Sequence, residues 1–141
     1  MSDDLSRAAF RFAHRLRVRW VEVDMQHIVF NGHYLMYFDT AIADYWRALA
    51  LPYQASMQLL QGDLYVRKAT VEYHASARYD AQLEVCVRCD RIGHSSMRFV
   101  AAIFRAALGD PKLGQHNGLP VTVIATATIQ DLHAKAGHAV T

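Results

Sequence analysis

From His14 to Val23 apolar and basic residues alternate, with Leu16, Val18 and Trp20 on one side and Arg15, Arg17 and Arg19 on the other. Alternation of that period predicts a half-buried strand. Asp24-Met25-Gln26-His27 interrupts it, and Asn31-Gly32 marks a turn. From about His33 to Ala50 the period becomes that of a helix. Tyr34, Leu35, Phe38, Ala41, Ile42, Tyr45, Trp46 and Leu49 fill one broad half of the wheel, and Asp39, Thr40, Ala43, Asp44 and Arg47 the other. So wide and aromatic an arc predicts a helix largely wrapped by a sheet, and Pro52 reads as its stop.

Everything after about Leu64 has strand character. Alternating or apolar runs over residues 65–77, 83–90, 96–107 and 119–132 are separated by Tyr79-Asp80, by Ile92-Gly93-His94 and by a longer loop over 109–118. Short connections predict antiparallel pairing, and the long apolar helix must pack on the sheet. The expectation is an α+β fold, an antiparallel sheet of five or six strands around one long central helix. Residues 1–11 are expected to be a flexible N-terminus, and 12–141 a single domain.

Composition narrows the picture. A chain of 141 residues suits one domain, and 52% hydrophobic residues is a slight apolar excess, such as a subunit interface adds. A net charge of +2 points to neither nucleic acid nor a membrane surface as partner. Arg7, Arg11, His14, Arg15, Arg17 and Arg19 do cluster, as a solvated strand edge or, more sharply, an anion-binding rim. The acidic start Met1-Ser2-Asp3-Asp4-Leu5 does not resemble a signal peptide, no apolar stretch is long enough for stable membrane insertion, and two cysteines make no disulfide framework. A cytoplasmic protein is expected.

Several chemical signals fail on spacing. Cys86 and Cys89 spell C-x-x-C, but three residues apart in a strand they face opposite ways, so both read as small buried hydrophobes. Eight histidines include no H-E-x-x-H or other compact ligand set, and His74, His116, His133 and His138 read as surface or hydrogen-bonded residues. No G-x-S-x-G elbow and no phosphate-cradling glycine loop occurs, so neither metal nor cofactor is expected. What remains is residues 24–34, where Asp24 lies just ahead of the wide helix. Free backbone N–H groups at a helix start can polarise a carbonyl oxygen while a carboxylate activates water or attacks. Spacing alone favours the plainer reading, in which Asp24 or Asn31 only caps the helix.

The segment Arg17-Val18-Arg19-Trp20-Val21-Glu22-Val23-Asp24, followed by Ile28-Val29-Phe30-Asn31-Gly32-His33-Tyr34-Leu35, resembles the signature of the 4-hydroxybenzoyl-CoA thioesterase-like, or hot-dog-fold, acyl-CoA thioesterases. The similarity continues in Tyr37-Phe38-Asp39-Thr40-Ala41, Val71-Glu72-Tyr73, Tyr79-Asp80, Leu83-Glu84-Val85 and Arg91-Ile92-Gly93-His94-Ser95-Ser96. The resemblance implies a hot-dog fold and hydrolysis of acyl-CoA, with Asp24 as nucleophile or general base and Asn31 offering its backbone N–H to the thioester oxygen. It implies substrate contacts from His27, His33, Tyr34, Arg91, His94, Ser95 and Ser96, the last three in a turn near the pantetheine or phosphates of CoA. His27 departs from the family, which usually has glycine there; it reads as packed and hydrogen-bonded, as narrowing the acyl pocket or as assisting the chemistry. A homodimer or homotetramer is expected, because the sheet leaves open edges. A non-catalytic acyl-thioester-binding module and a dehydratase or hydratase are the alternatives that the same fold hosts.

Overall fold

The computed structural model describes residues 5–50, 53–60, 62–94, 96–106 and 121–131. Alternation produces the first strand, β1 (Phe12–Arg17), which starts earlier and stops sooner than the pattern predicts. Its ladder ends because Val18 turns to the loop at residues 80–81: Val18 N donates to Ala81 O at 2.9 Å, and Asp80 N donates to Val18 O at 3.1 Å. A 3-10 turn, Trp20–Glu22, follows, so Trp20 is 70% exposed instead of facing the core.

Helix α1 (His33–Ala48) begins where expected. Its buried residues are Tyr34, Tyr37, Phe38, Ala41 and Trp46, while Leu35 and Leu49 of the predicted apolar half are exposed. One sheet covers one side of the helix, so the buried arc is narrower than the wheel suggests and is rotated to include Tyr37. The helix closes with Ala50 at φ 58°, a left-handed stop that glycine usually fills. A second helix, α2 (Tyr53–Leu60), was not expected. Pro52 had been read as a stop, yet a proline just ahead of Tyr53 equally suits a helix start.

Strands β2 (Gly62–Tyr73), β3 (Gln82–Ile92), β4 (Ser96–Arg105) and β5 (Val121–Asp131) complete one antiparallel sheet in the order β1-β3-β4-β5-β2. Consecutive strands β2 and β3 do not pair, contrary to the expectation from their short connection. Residues 77–78 bond to the segment ahead of α1 instead of folding back: Val29 N donates to Ala77 O at 2.9 Å, and Ile28 bridges Arg78. Strand β2 therefore reaches the far edge and pairs β5, from Gly62 opposite Asp131 to Tyr73 opposite Val121.

The sheet is apolar on both faces. Toward α1, Leu83, Val85, Val87, Phe99, Ala101 and Ile103 meet the helix. On the other face Phe10, Cys86, Val100, Ala102 and Phe104 form a smaller core, with Leu5 and Ala9 packed on it. The part of the N-terminus from Leu5 onward thus lies on the sheet, held by an ion pair of 3.3 Å from Arg7 to Glu84, which also pairs across the ladder with Arg15 of β1 at 3.3 Å. Cys86 belongs to the outer core and Cys89 packs against the inner one, on opposite faces as their spacing required.

Candidate active site

Asp24 lies in a short hairpin that leads into α1. Val23 bridges Val29, Asp24 N donates to Ile28 O at 2.9 Å, and His27 N donates to Asp24 O at 2.9 Å. Asp24 is a half-buried residue, and its Oδ1 accepts from Gln26 N at 2.8 Å in a bond open to solvent. That is an Asx turn, and it makes no bond to the start of α1 among the described residues. The capping residue is Gly32, which has no side chain to cap with, and the Asn31 side chain makes no hydrogen bond among the described residues. Neither Asp24 nor Asn31 therefore acts as a side-chain cap.

The start of α1 is accordingly open. His33 N donates to Phe30 O at 2.9 Å and Tyr34 N reaches Asn31 O at 3.4 Å, but the N–H groups of Asn31 and Gly32 have no partner among the described residues. His27 sits at φ 64°, the left-handed region. Only glycine enters that region without cost, which accounts for glycine as the usual residue in similar sequences. The His27 side chain is exposed and unbonded among the described residues, so the packed reading of it does not hold. His33 stacks edge-on against Phe30 with centroids 5.8 Å apart. Tyr34 is 2% exposed, and its hydroxyl accepts from Ala77 N at 3.2 Å, which puts it in the core under the loop and out of reach of a ligand in this chain. Burial raises the Tyr34 pKa, with the Ala77 N–H opposing.

Sequence reasoning missed the group that holds this hairpin. Glu22 is 3% exposed and accepts three hydrogen bonds: from Arg19 N at 2.8 Å, from Arg19 Nε at 2.9 Å and from Tyr37 Oη at 2.8 Å. Burial pushes its pKa up, but the bonds from Arg19 and Tyr37 together outweigh it and leave the carboxyl below its ordinary value. Tyr37 moves far upward, first through burial and then through the bond to Glu22. An arginine three residues ahead of a glutamate was the available signal. A rim of exposed apolar side chains was missed too: Trp20, Val21, Met25, Phe30 and Tyr79, with Trp20 and Tyr79 in edge contact at 5.4 Å.

The other candidates lie elsewhere. Arg91 is the last but one residue of β3, His94 lies in the turn into β4 and Ser96 opens β4, where Gly93 N donates to Ser96 O at 2.8 Å. Ser95 lies outside the described residues, as do His116, His133, His138 and the 109–118 loop. The Asp24 hairpin neighbours Ala77 and Arg78, ahead of Gln82, whereas Arg91 is near the opposite end of the 11-residue β3, about 30 Å away at 3.3 Å per residue. Within one chain Asp24 lies on the hairpin that leads into the helix start carrying Asn31 and His33, whereas Arg91, His94 and Ser96 lie at the far end of β3 and in the turn that follows it.

The early basic cluster is largely consumed internally. Besides Arg7 and Arg15, Arg17 pairs with Asp80 at 3.1 Å, Arg19 with Glu22 at 2.9 Å, and His14 with Asp44 at 3.3 Å. Arg15, Arg17 and Arg19 stay exposed in those pairs, and Arg11 and exposed Arg91 have no ion pair among the described residues.

Comparison with known proteins bears on this geometry. The sequence profile described as "Thioesterase superfamily" matches residues 26–111. A protein of Aquifex aeolicus (strain VF5), named as a candidate esterase, is 28% identical over 94 residues, 67% of this chain and 73% of that protein. Uncharacterized proteins of Mycobacterium tuberculosis match over only 40 to 53 residues, 9 to 12% of their own length. Among solved structures, a DHNA-CoA thioesterase from Staphylococcus aureus superposes with a TM-score of 0.71 at 19% identity, covering 85% of this chain and 74% of that one. A 1,4-dihydroxy-2-naphthoyl-CoA thioesterase from Synechocystis does so with a TM-score of 0.73 at 15% identity, covering 86% and 82%. At those identities the superpositions speak for the shared hot-dog fold.

Proposed function

This chain belongs to the thioesterase superfamily, and we propose that it hydrolyses acyl-CoA thioesters to the free acid and CoA, with Asp24 as the working carboxylate. The observation that carries the reading is the pairing of the carboxylate of half-buried Asp24, held by one backbone bond, with a helix start whose Asn31 and Gly32 N–H groups are unpartnered among the described residues. Those N–H groups sit at the positive end of a 16-residue helix. A thioester oxygen directed at them gains charge as the carbonyl is attacked, and the donors stabilise that charge.

The attack itself takes one of two forms. As a general base, Asp24 removes a proton from water while the water oxygen bonds to the carbonyl carbon. The tetrahedral oxyanion then collapses, the C–S bond breaks, and the proton passes to the departing thiolate. As a nucleophile, Asp24 bonds to the carbonyl carbon and expels the thiolate, and water then cleaves the resulting anhydride. The exposed rim of Trp20, Met25, Phe30 and Tyr79 offers apolar surface for an acyl group beside the carboxylate.

A second copy completes the site in this reading. Strand β2 is a 12-residue edge with Val66 and Tyr73 exposed, and an edge of that length invites pairing. Antiparallel pairing of two β2 edges across a two-fold axis sets the Tyr73 end of one beside the Gly62 end of the other. In each chain Gly62 faces Asp131, at the end where Ser96 faces Thr128. The Asp24 hairpin of one copy then shares an end of the joined sheet with the turn carrying Arg91, His94 and Ser96 of the other, where Arg91 can meet the phosphates of CoA. The assembly is a homodimer, or a homotetramer built from it. A cytoplasmic location belongs to the same reading; no helix among the described residues is long and apolar enough to cross a membrane.

The test is release of free thiol from acetyl-, hexanoyl-, palmitoyl- and benzoyl-CoA, followed with a thiol reagent. Turnover on at least one acyl-CoA is expected. Tight binding of acyl-CoA without thiol release would favour the non-catalytic module.

A further inference from the structure

We infer that Glu22 and Tyr37 form a latch that positions Asp24, which makes Glu22 a positioning residue for the hydrolysis; the inference rests on the function proposed above. Glu22 stands two residues ahead of Asp24 and closes the hairpin twice. Its side chain is anchored to α1 through Tyr37 Oη at 2.8 Å, and its backbone carbonyl accepts from Phe30 N at 2.9 Å, across the hairpin's other end. Between those anchors and the tip lie the Val23–Val29 bridge and the Asp24–Ile28 and His27–Asp24 bonds, while Ile28 and Val29 on the other arm are tied to Arg78 and Ala77. On the arm that carries Asp24, the side-chain link to α1 is this one buried acid.

The chemistry of the latch fits positioning better than bulk stabilisation. A buried carboxylate is costly unless every bond is made, and a well-packed apolar side chain would fill the same volume at least as favourably. What an apolar residue cannot supply is direction. Both Glu22 oxygens are claimed, Oε1 by Tyr37 and the Arg19 N–H, and Oε2 by the Arg19 guanidinium, so the carboxylate has one orientation. Arg19 reaches it from the exposed side, and Tyr37 from within the core between α1 and the sheet. A hairpin held in this way keeps Asp24 in register with the open N–H groups of Asn31 and Gly32. Misplacement of a reacting group by about 1 Å costs on the order of a hundredfold in rate.

The test compares the full-length parent with Tyr37→Phe and Glu22→Gln, reading steady-state kinetics and hydrogen exchange of individual amides by NMR. Tyr37→Phe removes one bond and keeps the ring. Glu22→Gln keeps the volume but turns an N–H₂ toward donors. Both variants are expected to lose kcat by about ten- to a hundredfold, with KM nearly unchanged. The amides of Asp24 and Phe30 are expected to exchange faster, while those of Val100 and Ala101 in the centre of β4 keep their protection. If Glu22→Gln fails to fold, Tyr37→Phe decides the matter alone. Unchanged exchange at Asp24 and Phe30 overturns the latch. Faster exchange there with unchanged kcat overturns its part in the reaction. A parent that releases no thiol from any acyl-CoA defeats the hydrolysis reading instead, and the exchange comparison still decides whether Glu22 and Tyr37 fix the hairpin.

Discussion

Tyr34→Phe separates a structural hydroxyl from a substrate-binding one. The ring stays, and with it the edge contacts to Tyr37 at 5.9 Å and Tyr73 at 5.7 Å, so no cavity opens. What is lost is the acceptor for Ala77 N, in a region where Tyr34 and Ala77 are 2% and 3% exposed and water cannot take over. A buried donor left without a partner costs about 1–3 kcal/mol. With a urea dependence of about 2 kcal/mol per molar, that loss lowers the unfolding midpoint by about 0.5–1.5 M. The assay is equilibrium urea unfolding at one protein concentration, because association would make the midpoint concentration-dependent. Turnover and KM should stay close to the parent's, since a hydroxyl that points into the core touches no substrate. A variant with the parent's midpoint but collapsed turnover would refute the reasoning and return Tyr34 to the substrate.

Acid should weaken the Glu22 latch. Its folded pKa lies below the ordinary 4.5, so its contribution is complete above that value and is lost as pH falls through the folded one. The stability gap between the parent and Glu22→Gln should therefore be flat from neutral pH to about pH 5 and shrink below it; a gap that widens in acid would contradict this. Burial pushes the Cys86 thiol up to about 11 and raises Cys89 as well. At pH 8 only about one Cys86 in a thousand is then thiolate, so a thiol reagent should spare it until the protein is unfolded; immediate reaction of both cysteines in the native protein would contradict that burial. Light scattering at micromolar concentration should give twice the chain mass or a multiple of it, and a monomer would remove the shared site.

How much of this was legible in the sequence depended on whether a feature is local. Helix α1 was readable from its period, and the opposite facing of Cys86 and Cys89 from strand alternation alone. The interruption at Asp24 announced a loop ahead of the helix. What escaped was tertiary. Trp20 continues the alternation of β1, and only the bonds from Val18 to the Asp80–Ala81 loop reveal that the strand has ended before it. Helix α2 was hidden because Pro52 serves as stop and start alike. Strand β2 pairs β5 and not β3 because residues 77–78 are recruited by Val29 and Ile28, partners about fifty positions away. Glu22 and Tyr37 were invisible for a related reason. Tyr37 stands in neither half of the wheel as read from the sequence, and Glu22, though in line with Leu16, Val18 and Trp20, is a carboxylate whose buried partner on α1 the pattern does not show. The left-handed backbone at His27 left no mark beyond standing where similar sequences carry glycine.

Asp24→Asn tests the central claim most directly. The amide oxygen still accepts from Gln26 N, so the Asx turn survives, and no helix cap is lost because Asp24 does not cap α1. Charge and basicity are what disappear. The measurement is kcat for the best acyl-CoA of the panel, beside the urea midpoint and the affinity for the same substrate. If Asp24 is the base or nucleophile, kcat falls by about a hundredfold to ten-thousandfold, while folding and binding stay near the parent's. Near-normal turnover in a folded Asp24→Asn protein would contradict the account and move the search to its neighbours, His27 first.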